Sequence, residues 1–205
     1  MTSSSINLIQ KKRFIREKEI LANSPLHYTT AYSDDDNPLI WYCLIVGQKD
    51  TPYYGGHYIY KIAHSKNYPA EPPDYYFLTP SGRYEIEKKI CLTNSSYHKE
   101  QWSSTWNINT ILVSFYSIFL DNNVEGISHR HDPPEICKKY ASESIQYNLK
   151  YHNAIYSKFN FTNLFDDVPK NDICVGVPNE SATISISADN TEKKNKTKSK
   201  NIKTK

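Results

Sequence analysis

The sequence predicts an α+β protein in which a four-stranded antiparallel meander follows an N-terminal helix and precedes further helices. Three observations carry this prediction: helical spacing near the N-terminus, four short β-compatible runs with tight connections, and longer apolar runs after residue 108. The chain has 205 residues, of which 38% are hydrophobic, and this is enough for one domain of ordinary size with a tail. Its 17 tyrosines are expected to supply much of the buried surface.

The N-terminal segment is predicted as a basic amphipathic helix that has Ser5 as its N-cap and stops at Asn23, before Pro25. Its apolar positions are Ile6, Ile9, Ile15 and Leu21. Its basic positions are Lys11, Lys12, Arg13 and Arg16. Such a face is either the solvated surface of a packed helix, which is the commoner case, or a docking face for an acidic partner.

Four short strands are predicted next, because runs of aromatic and β-branched residues are bounded by turn residues. They are expected within residues 26–32, 39–47, 57–63 and 74–80. A proline-rich segment from Tyr68 to Pro73 separates the last two, since proline has no N–H to donate to a strand ladder. Gly55 and Gly56 are interpreted as a turn, because no phosphate-loop continuation follows them.

Helices are predicted in the second half of the core. Residues 109–120 form an apolar run whose length favours a buried central helix over a strand. Residues 134–161 show helical spacing, with Pro134 in a first turn. They are interpreted as two C-terminal helices that meet near Asn148.

The predicted core spans residues 5–165, and residues 166–205 are predicted as a disordered, lysine-rich tail, since few aromatic residues remain there to bury. Residues 191–205 carry seven Lys and one Glu, a charge of +6, so the net charge of +3 leaves −3 for residues 1–190. A mildly acidic body argues against nucleic-acid binding. The dispersed lysines favour a solubilising extension over a nuclear-import signal or a membrane-surface contact.

Targeting signals and cysteine spacing indicate the compartment. The N-terminus lacks the apolar core of a secretory signal, and no run approaches the roughly 18 apolar residues of a membrane span. We therefore expect a protein of the cytoplasm or the nucleus that is not secreted. No disulfide or metal framework is suggested by the four widely spaced cysteines, which are Cys43, Cys91, Cys137 and Cys174.

Cys91 lies in a polar, irregular segment between the fourth strand and the apolar helix. Taken alone, it is either a buried structural thiol, the commoner case for a free cysteine, or an acyl-carrying nucleophile. A cysteine-protease arrangement with His57 or His98 as the base is disfavoured, because protease-specific surroundings are absent.

Five motifs follow one another along the chain. They are a Thr-Pro-Tyr-x-Gly-Gly turn at residues 51–56, a Tyr-Pro-x-x-Pro-Pro element at 68–73, Ile90-Cys91-Leu92, the pair Trp102 and Trp106, and a Thr-Ile-Leu helix start at 110–112. This order, which extends from about residue 6 to 165, resembles the ubiquitin-conjugating enzyme family. The resemblance implies the UBC fold and places Cys91 where that family keeps its catalytic cysteine.

The chain is most similar to the branch of the family whose usual members are tail-anchored at the endoplasmic reticulum. Thr79–Tyr84 resembles the Thr-Pro-Asn-Gly-Arg-Phe motif of that branch, and Tyr97–Trp106 resembles its Phe-His-Pro-Asp-Thr-Trp-Asn-Pro-Ala-Trp stretch. Ser144–Lys150 is similar to its third-helix sequence. That branch ends in a membrane helix, whereas this chain ends in a lysine-rich segment, so we expect a version without the anchor.

The resemblance implies an acyltransferase. Cys91 would accept ubiquitin from an activating enzyme as a thioester and transfer it to a substrate lysine, or to a hydroxyl group, as the related branch does. No cofactor would be bound directly, because ATP is consumed upstream by the activating enzyme. The implied partners are ubiquitin, the ubiquitin-activating enzyme, a RING-type ubiquitin ligase and protein substrates, with no nucleic acid and no membrane span.

The supporting residues depart from the family pattern. Ser81 stands where most of the family has the Asn of His-Pro-Asn, so Ser81 and Asn94 are the candidates for oxyanion or loop support. Asp121 and His98 are the candidates for activation of the acceptor, and an imidazole titrates near neutral pH. Because Ser81 is a shorter donor, a catalytically impaired scaffold that binds ubiquitin or ligases stays open. Conjugation of another ubiquitin-like modifier also stays open.

Two partner surfaces are implied by the same resemblance. The basic helix residues, Lys11, Lys12, Arg13 and Arg16, would dock on the activating enzyme. The ligase-contacting positions of the family correspond to Ala70, Ser104 and Thr105. Ala70 is smaller than the apolar residue of many members, and Ser104 and Thr105 replace their Pro and Ala, so weaker anchoring of a ligase is expected.

Overall fold

A four-stranded antiparallel sheet forms the centre of the computed structural model, which describes residues 6–162 and Leu164. The strands are β1 (Thr29–Ser33), β2 (Ile40–Val46), β3 (His57–Ala63) and β4 (Asp74–Phe77). They lie side by side in sequence order, with Ala31 opposite Cys43, and Cys43 opposite Tyr60. The predicted meander is confirmed, although β1 starts three residues later than expected.

Helices precede and follow the sheet. They are α1 (Leu8–Asn23), a 3-10 helix (Ser96–Gln101), α2 (Ile108–Leu120), α3 (Pro134–Tyr151) and the short α4 (Asn153–Tyr156). This arrangement confirms the predicted α+β class, with an irregular cysteine-bearing segment between β4 and α2. None of the helices in the described part of the chain has the length and apolar composition that a membrane crossing requires.

Aromatic rings connect α2 to the sheet. The ring of Phe115 stacks on Tyr60 of β3 at a centroid distance of 4.2 Å, and Phe119 lies 4.5 Å from Tyr53. Five residues of α2 are buried: Ile108, Ile111, Leu112, Phe115 and Phe119. Burial of each such side chain contributes roughly 1.5–3 kcal/mol, so α2 is held mainly by its apolar face. The tyrosine-rich core follows the prediction from composition.

The start of α1 differs from the prediction. Asn7, not Ser5, caps the helix: its side chain accepts from the N–H of Gln10, and the Gln10 side chain accepts from the N–H of Asn7. This reciprocal capping box satisfies two backbone donors that a helix N-terminus leaves free. Ser5 lies outside the described residues. The predicted end of the helix at Asn23 is confirmed.

The buried face of α1 also differs. Ile9 and Ile15 were expected to be apolar contact positions, but they are 70% and 51% exposed. The buried residues are Gln10, Phe14 and Glu17. Burial of the two polar side chains is tolerated because distant groups bind them: the Gln10 amide donates to the Lys66 carbonyl, and Glu17 accepts from the Ile108 N–H.

The junction of the C-terminal helices lies at His152 and not near Asn148. Asn148 stays inside α3 because its amide is used across the core. It donates to the His57 carbonyl at 2.8 Å and accepts from the Thr79 hydroxyl at 2.6 Å. The predicted tail and the boundary at residue 165 lie outside the described residues, so the domain division stays a prediction.

Candidate active site

Cys91 is held at the surface by its two neighbours. Ile90 and Leu92 are both buried, and the Ile90 N–H donates to the Tyr75 carbonyl at the end of the sheet. Alternation along this extended segment turns the side chain between them outward, and Cys91 is accordingly half-buried. The segment therefore presents a thiol that a reaction partner can reach.

His98 lies next to this thiol. Its Nε2 is 3.3 Å from Sγ of Cys91. The approach depends on a kink within the 3-10 helix, where His98 has non-helical backbone angles. The Ser95 hydroxyl fixes the start of that helix by donating to the Leu92 carbonyl and accepting from the Tyr97 N–H. Of the predicted catalytic residues, Cys91 and His98 are the pair that the structure brings together.

Glu100 extends the pair to a third group. One of its carboxylate oxygens is 3.5 Å from Nδ1 of His98, on the side of the ring away from the thiol. A thiol, an imidazole and a carboxylate in this order can move a proton from sulfur to nitrogen. Sequence reasoning did not single out Glu100, although its position two residues after His98 was visible.

A loop of residues 121–129, hereafter the overlying loop, covers the other side of Cys91. The Cys91 N–H donates to the Ile127 carbonyl at 3.1 Å, and the Cys91 carbonyl lies 2.9 Å from Nε2 of His129. Gly126 approaches so closely that a Cβ there would lie 3.2 Å from Cβ of Cys91. Absence of a side chain at this position thus permits the close contact.

Arg83 anchors the overlying loop. Its side chain is fully buried, and Nη2 donates to the carbonyls of Asp121, Val124 and Ile118. A cation at these carbonyls also complements the negative end of the α2 dipole. Sequence reasoning noted Arg83 only as part of a motif, since its partners lie 35 to 41 residues away.

Ser81 is buried within the turn that leads to Arg83. Its hydroxyl oxygen accepts from the Arg83 N–H at 3.1 Å, a local contact that braces the turn. Gly82 follows with φ of +78°, and a Cβ there would meet Sγ of Cys137 at 2.7 Å. The geometry of Ser81 matches loop support, one of the two roles predicted for it.

Asn94 and Asp121 have different surroundings. Asn94 is 2% exposed, and within the described chain neither its amide nitrogen nor its amide oxygen has a hydrogen-bond partner. Asp121 is exposed at the end of α2, where its carboxylate accepts from the N–H and side-chain amide of Asn123. No hydrogen bond joins either side chain to Cys91 among the residues that the structure describes.

Burial lowers the pKa of two further histidines, His57 and His129. His57 is buried, and desolvation lowers its pKa to about 4; its Nδ1 contacts the hydroxyl of Tyr156, so it belongs to the core and not to the site. His129 also has a lowered pKa, chiefly because of burial, with Arg83 acting in the same direction and the carbonyl contacts opposing it. Between residues 6 and 162, no group of three or more His, Cys, Asp or Glu side chains is placed to hold a metal ion.

On the basic face of α1, three of the four predicted basic side chains are exposed, and the fourth, Arg13, is not. Lys11, Lys12 and Arg16 are exposed. Arg13 is withdrawn from this face, because its guanidinium pairs with Glu17 at 2.5 Å and donates to the carbonyls of Ser104 and Trp106. Arg13 therefore orders the loop that carries the predicted ligase positions.

Two of the three predicted ligase positions border an open depression. Ala70 and Ser104 line it together with Ile9, and the adjacent Leu8 is 66% exposed. The Trp102 indole donates to the Pro69 carbonyl at 2.9 Å and joins the two loops. The apolar surface is small at Ala70, but exposed Leu8 and Ile9 of α1 add apolar surface nearby.

A family model supplies the decisive comparison. The model described as ubiquitin-conjugating enzyme matches residues 13–154, which include every described element except the first turn of α1 and the end of α4. The chain belongs to the ubiquitin-conjugating enzyme family. Membership confirms the family and the UBC fold predicted from the motifs, and with them the predicted class of enzyme, a ubiquitin-conjugating transferase.

Curated relatives carry the same family name. The chain is 35% identical to Ubiquitin-conjugating enzyme E2 J2-like of Dictyostelium discoideum over 140 residues, which are 67% of this chain and 81% of the relative. It is 32% identical to Ubiquitin-conjugating enzyme E2 6 of Eremothecium gossypii over 157 residues, which are 77% of this chain and 62% of the relative. The chain thus spans about three fifths to four fifths of the length of these two relatives.

A solved structure, human Ubiquitin-conjugating enzyme E2 G1, is also similar. It is 27% identical in sequence and has a TM-score of 0.47, with 53% of this chain and 92% of that chain covered.

Proposed function

We propose that this chain is an active ubiquitin-conjugating enzyme, in which Cys91 carries ubiquitin as a thioester in ATP-dependent protein ubiquitination. The observation that carries the proposal is the half-buried Cys91 thiol with Nε2 of His98 at 3.3 Å. A thiolate is both a good nucleophile toward a carbonyl and a good leaving group, which a carrier that must accept and release an acyl group requires. ATP would be consumed by the activating enzyme, so no directly bound cofactor is needed.

The first step is transfer between two thiols. Sulfur of Cys91 attacks the carbonyl carbon of the thioester on the activating enzyme while its proton passes to Nε2 of His98. The sulfur of the activating enzyme leaves as the tetrahedral intermediate collapses, and it takes up a proton. Glu100, 3.5 Å from Nδ1 of the same ring, would stabilise the imidazolium and fix its orientation.

The second step releases the acyl group to an acceptor. The nitrogen of a lysine attacks the thioester carbon, its proton passes to His98, and the thiolate of Cys91 leaves. The oxygen of a serine or threonine hydroxyl is much less basic than the nitrogen of an unprotonated amine. Its attack therefore depends more on a general base. The His98 contact therefore favours hydroxyl groups as a second acceptor class beside lysine.

Support for the developing oxyanion is assigned to Ser81 and Asn94 in different ways. Ser81, bound to the Arg83 N–H, would maintain the turn beside the site. Asn94 is the candidate donor, because a buried amide without a partner is unfavourable by about 1–3 kcal/mol and would gain a bond if the oxyanion came within reach. Asp121 is retained as a second candidate for acceptor activation, since it is exposed at the edge of the overlying loop.

Partners are proposed for two surfaces. The exposed cations Lys11, Lys12 and Arg16 would guide docking on an acidic surface of the activating enzyme, which should weaken as salt increases. A RING-type ligase would contact Ala70, Ser104 and Thr105, with exposed Ile9 adding apolar area. We place the protein in the cytoplasm or the nucleus.

One experiment tests the proposal. The chain is incubated with ubiquitin-activating enzyme, ATP and ubiquitin, or another ubiquitin-like modifier with its own activating enzyme. We expect a ubiquitin adduct that reductant removes, that Cys91→Ala abolishes, and that Cys91→Ser converts to a reductant-resistant ester. Cys137→Ala, at a buried thiol, is the matched control and should retain the adduct. If no modifier forms an adduct, the scaffold function suggested by Ser81 replaces the proposal.

A further inference from the structure

Both main-chain groups of Cys91 are bound by the overlying loop. The Cys91 N–H donates to the Ile127 carbonyl, and the Cys91 carbonyl oxygen lies 2.9 Å from Nε2 of His129. The loop is paired in turn with the segment after β4, where the Glu85 N–H donates to the Ser128 carbonyl. The peptide groups before and after Cys91 are therefore each held by a hydrogen bond. One of these two bonds is made by a side chain, that of His129.

The contacts of His129 assign its hydrogen. Nε2 faces the Cys91 carbonyl oxygen, which only accepts, so Nε2 carries a hydrogen and donates. Nδ1 lies 3.2 Å from Nη1 of Arg83 and 3.0 Å from the Val124 carbonyl oxygen. In the neutral ring, Nδ1 accepts from Arg83, and the bond from Nε2 to Cys91 is present.

Arg83 connects this histidine to the central helix. Its Nη2 donates to the carbonyls of Ile118 and Asp121, at the end of α2, while Nη1 faces the ring of His129. Burial on all sides keeps the guanidinium in place. The chain of contacts runs from α2 through Arg83 and His129 to the carbonyl of Cys91, and it contains no exposed, flexible side chain.

We propose that His129 is a positioning residue, which fixes the peptide plane after Cys91 and thereby the direction of the thiol toward His98. The inference rests on the proposed function, since it concerns the same thiol. His129 does not contact the reacting sulfur, because its Nε2 is directed to the main chain. A displacement of reacting groups by about 1 Å can slow a reaction by about 100-fold, so loss of this bond is expected to matter.

The test compares His129→Leu, which removes the donor, with His129→Gln, whose amide nitrogen can reach the same carbonyl. The matched control is His131→Leu, at an exposed histidine two residues away. Thioester is formed on each variant, and its discharge to free lysine is measured as kcat and KM per loaded enzyme. Alkylation of Cys91 by iodoacetamide, located by mass spectrometry, and the thermal midpoint are measured on the same samples.

We expect His129→Leu to lower kcat about 10- to 100-fold with KM for lysine unchanged, and to alter the alkylation rate of Cys91. His129→Gln should recover most of the rate, and His131→Leu should match the parent chain. Discharge by His129→Leu at the parent rate would overturn the inference, as would equal losses in His129→Leu and His129→Gln at unchanged thermal midpoints. Failure of the parent chain to form any thioester would instead refute the proposed function.

Discussion

Nε2 of His98 lies 3.3 Å from Sγ of Cys91, and the carboxylate of Glu100 lies 3.5 Å from the opposite nitrogen of the same ring. The pair resembles a nucleophile with its base, although in the proposed reaction the thiol must leave as readily as it attacks. Proton transfer at His98 is thus expected to matter most where the acceptor is a weak nucleophile. Loss of His98 should therefore slow transfer to hydroxyl acceptors more than transfer to lysine.

The first prediction concerns His98→Ala. Discharge of the thioester to free serine or threonine should fall about 100-fold, because a positioned general base typically contributes that much or more. Discharge to lysine should fall less, since an unprotonated amine attacks without a base. Single-turnover discharge to each amino acid measures both, with His131→Ala as the exposed control. Equal losses for both acceptors would contradict the assigned role.

Glu100→Gln should slow the same discharge to hydroxyl acceptors, but less than His98→Ala does. The His98 side chain is 37% exposed and that of Glu100 is 70% exposed, and solvent-accessible ion pairs contribute about 1 kcal/mol or less. The hydroxyl discharge rate should therefore fall no more than about fivefold. The same single-turnover assay measures it, and a loss as large as that of His98→Ala would show that Glu100 acts more directly.

The second prediction concerns the buried carboxylate of Glu17. It accepts from Arg13, from the Tyr68 hydroxyl at 2.9 Å and from the Ile108 N–H at 2.5 Å. Glu17→Ala should lower the free energy of unfolding by about 3 kcal/mol, because the change removes the buried member of an ion pair and leaves the Tyr68 hydroxyl and the Ile108 N–H without this acceptor. Urea denaturation measures this. Glu19→Ala, at an exposed position on the same helix, should change stability little.

The third prediction is a pH dependence of stability. Burial lowers the pKa of His64 to about 3, with Arg13 acting in the same direction, and burial lowers the pKa of His57 to about 4. The unfolded chain, in which histidine titrates near pH 6.5, therefore binds more protons than the folded chain below that pH. The free energy of unfolding should fall as pH decreases from about 6.5 toward 4, because the unfolded state gains protons that the folded state does not bind.

Urea denaturation at a series of pH values measures this slope. His64→Phe removes the contribution of His64 to this slope. Phenylalanine is a suitable replacement because His64 lies among aromatic rings, with Tyr68 at a centroid distance of 4.1 Å. The decline with decreasing pH should be shallower in the variant than in the parent chain. Parallel pH curves for the two proteins would contradict the assignment to His64.

The fourth prediction concerns Gly126→Ala. A Cβ at this position would lie 3.2 Å from Cβ and the carbonyl oxygen of Cys91 and from Nε2 of His129, closer than comfortable van der Waals contact. The overlying loop or the cysteine segment must shift, so the rate of thioester formation should fall by about tenfold. Single-turnover loading measures this rate, and Glu125→Ala, at an exposed neighbour, is the control expected to behave like the parent chain.

The parts of the fold that sequence reasoning predicted well are those with local patterns. The edge strands β1 and β4 alternate between buried and half-buried residues, and α2 presents a strongly apolar face with five buried residues. Cys91 was identified through motifs on both sides of it. In each case the residues that determine the element lie within or beside it.

The predictions that failed depend on distant partners. Ile9 and Ile15 were predicted as apolar positions of an amphipathic helix, but they are exposed, and Gln10 and Glu17 are buried instead because groups 55 to 91 residues away bind them. No local spacing could indicate that the Cys91 carbonyl meets His129, which is 38 residues further along the chain. Long-range hydrogen bonds between polar groups leave no periodic trace in a sequence.

The hydrogen bond from Trp102 to Pro69, together with the contacts of Arg13 with the Ser104 and Trp106 carbonyls, has a consequence for engineering. The shape of both predicted ligase loops is maintained by bonds to main-chain oxygens, which do not change when a side chain is replaced. Ala70 and Ser104 can therefore be randomised as a library without redesign of the loops, whereas the Thr105 hydroxyl also contacts the Ser103 hydroxyl at 2.9 Å. Under the proposed ligase contacts, we expect selection from such a library to change which ligase is recognised without altering the residues that contact Cys91.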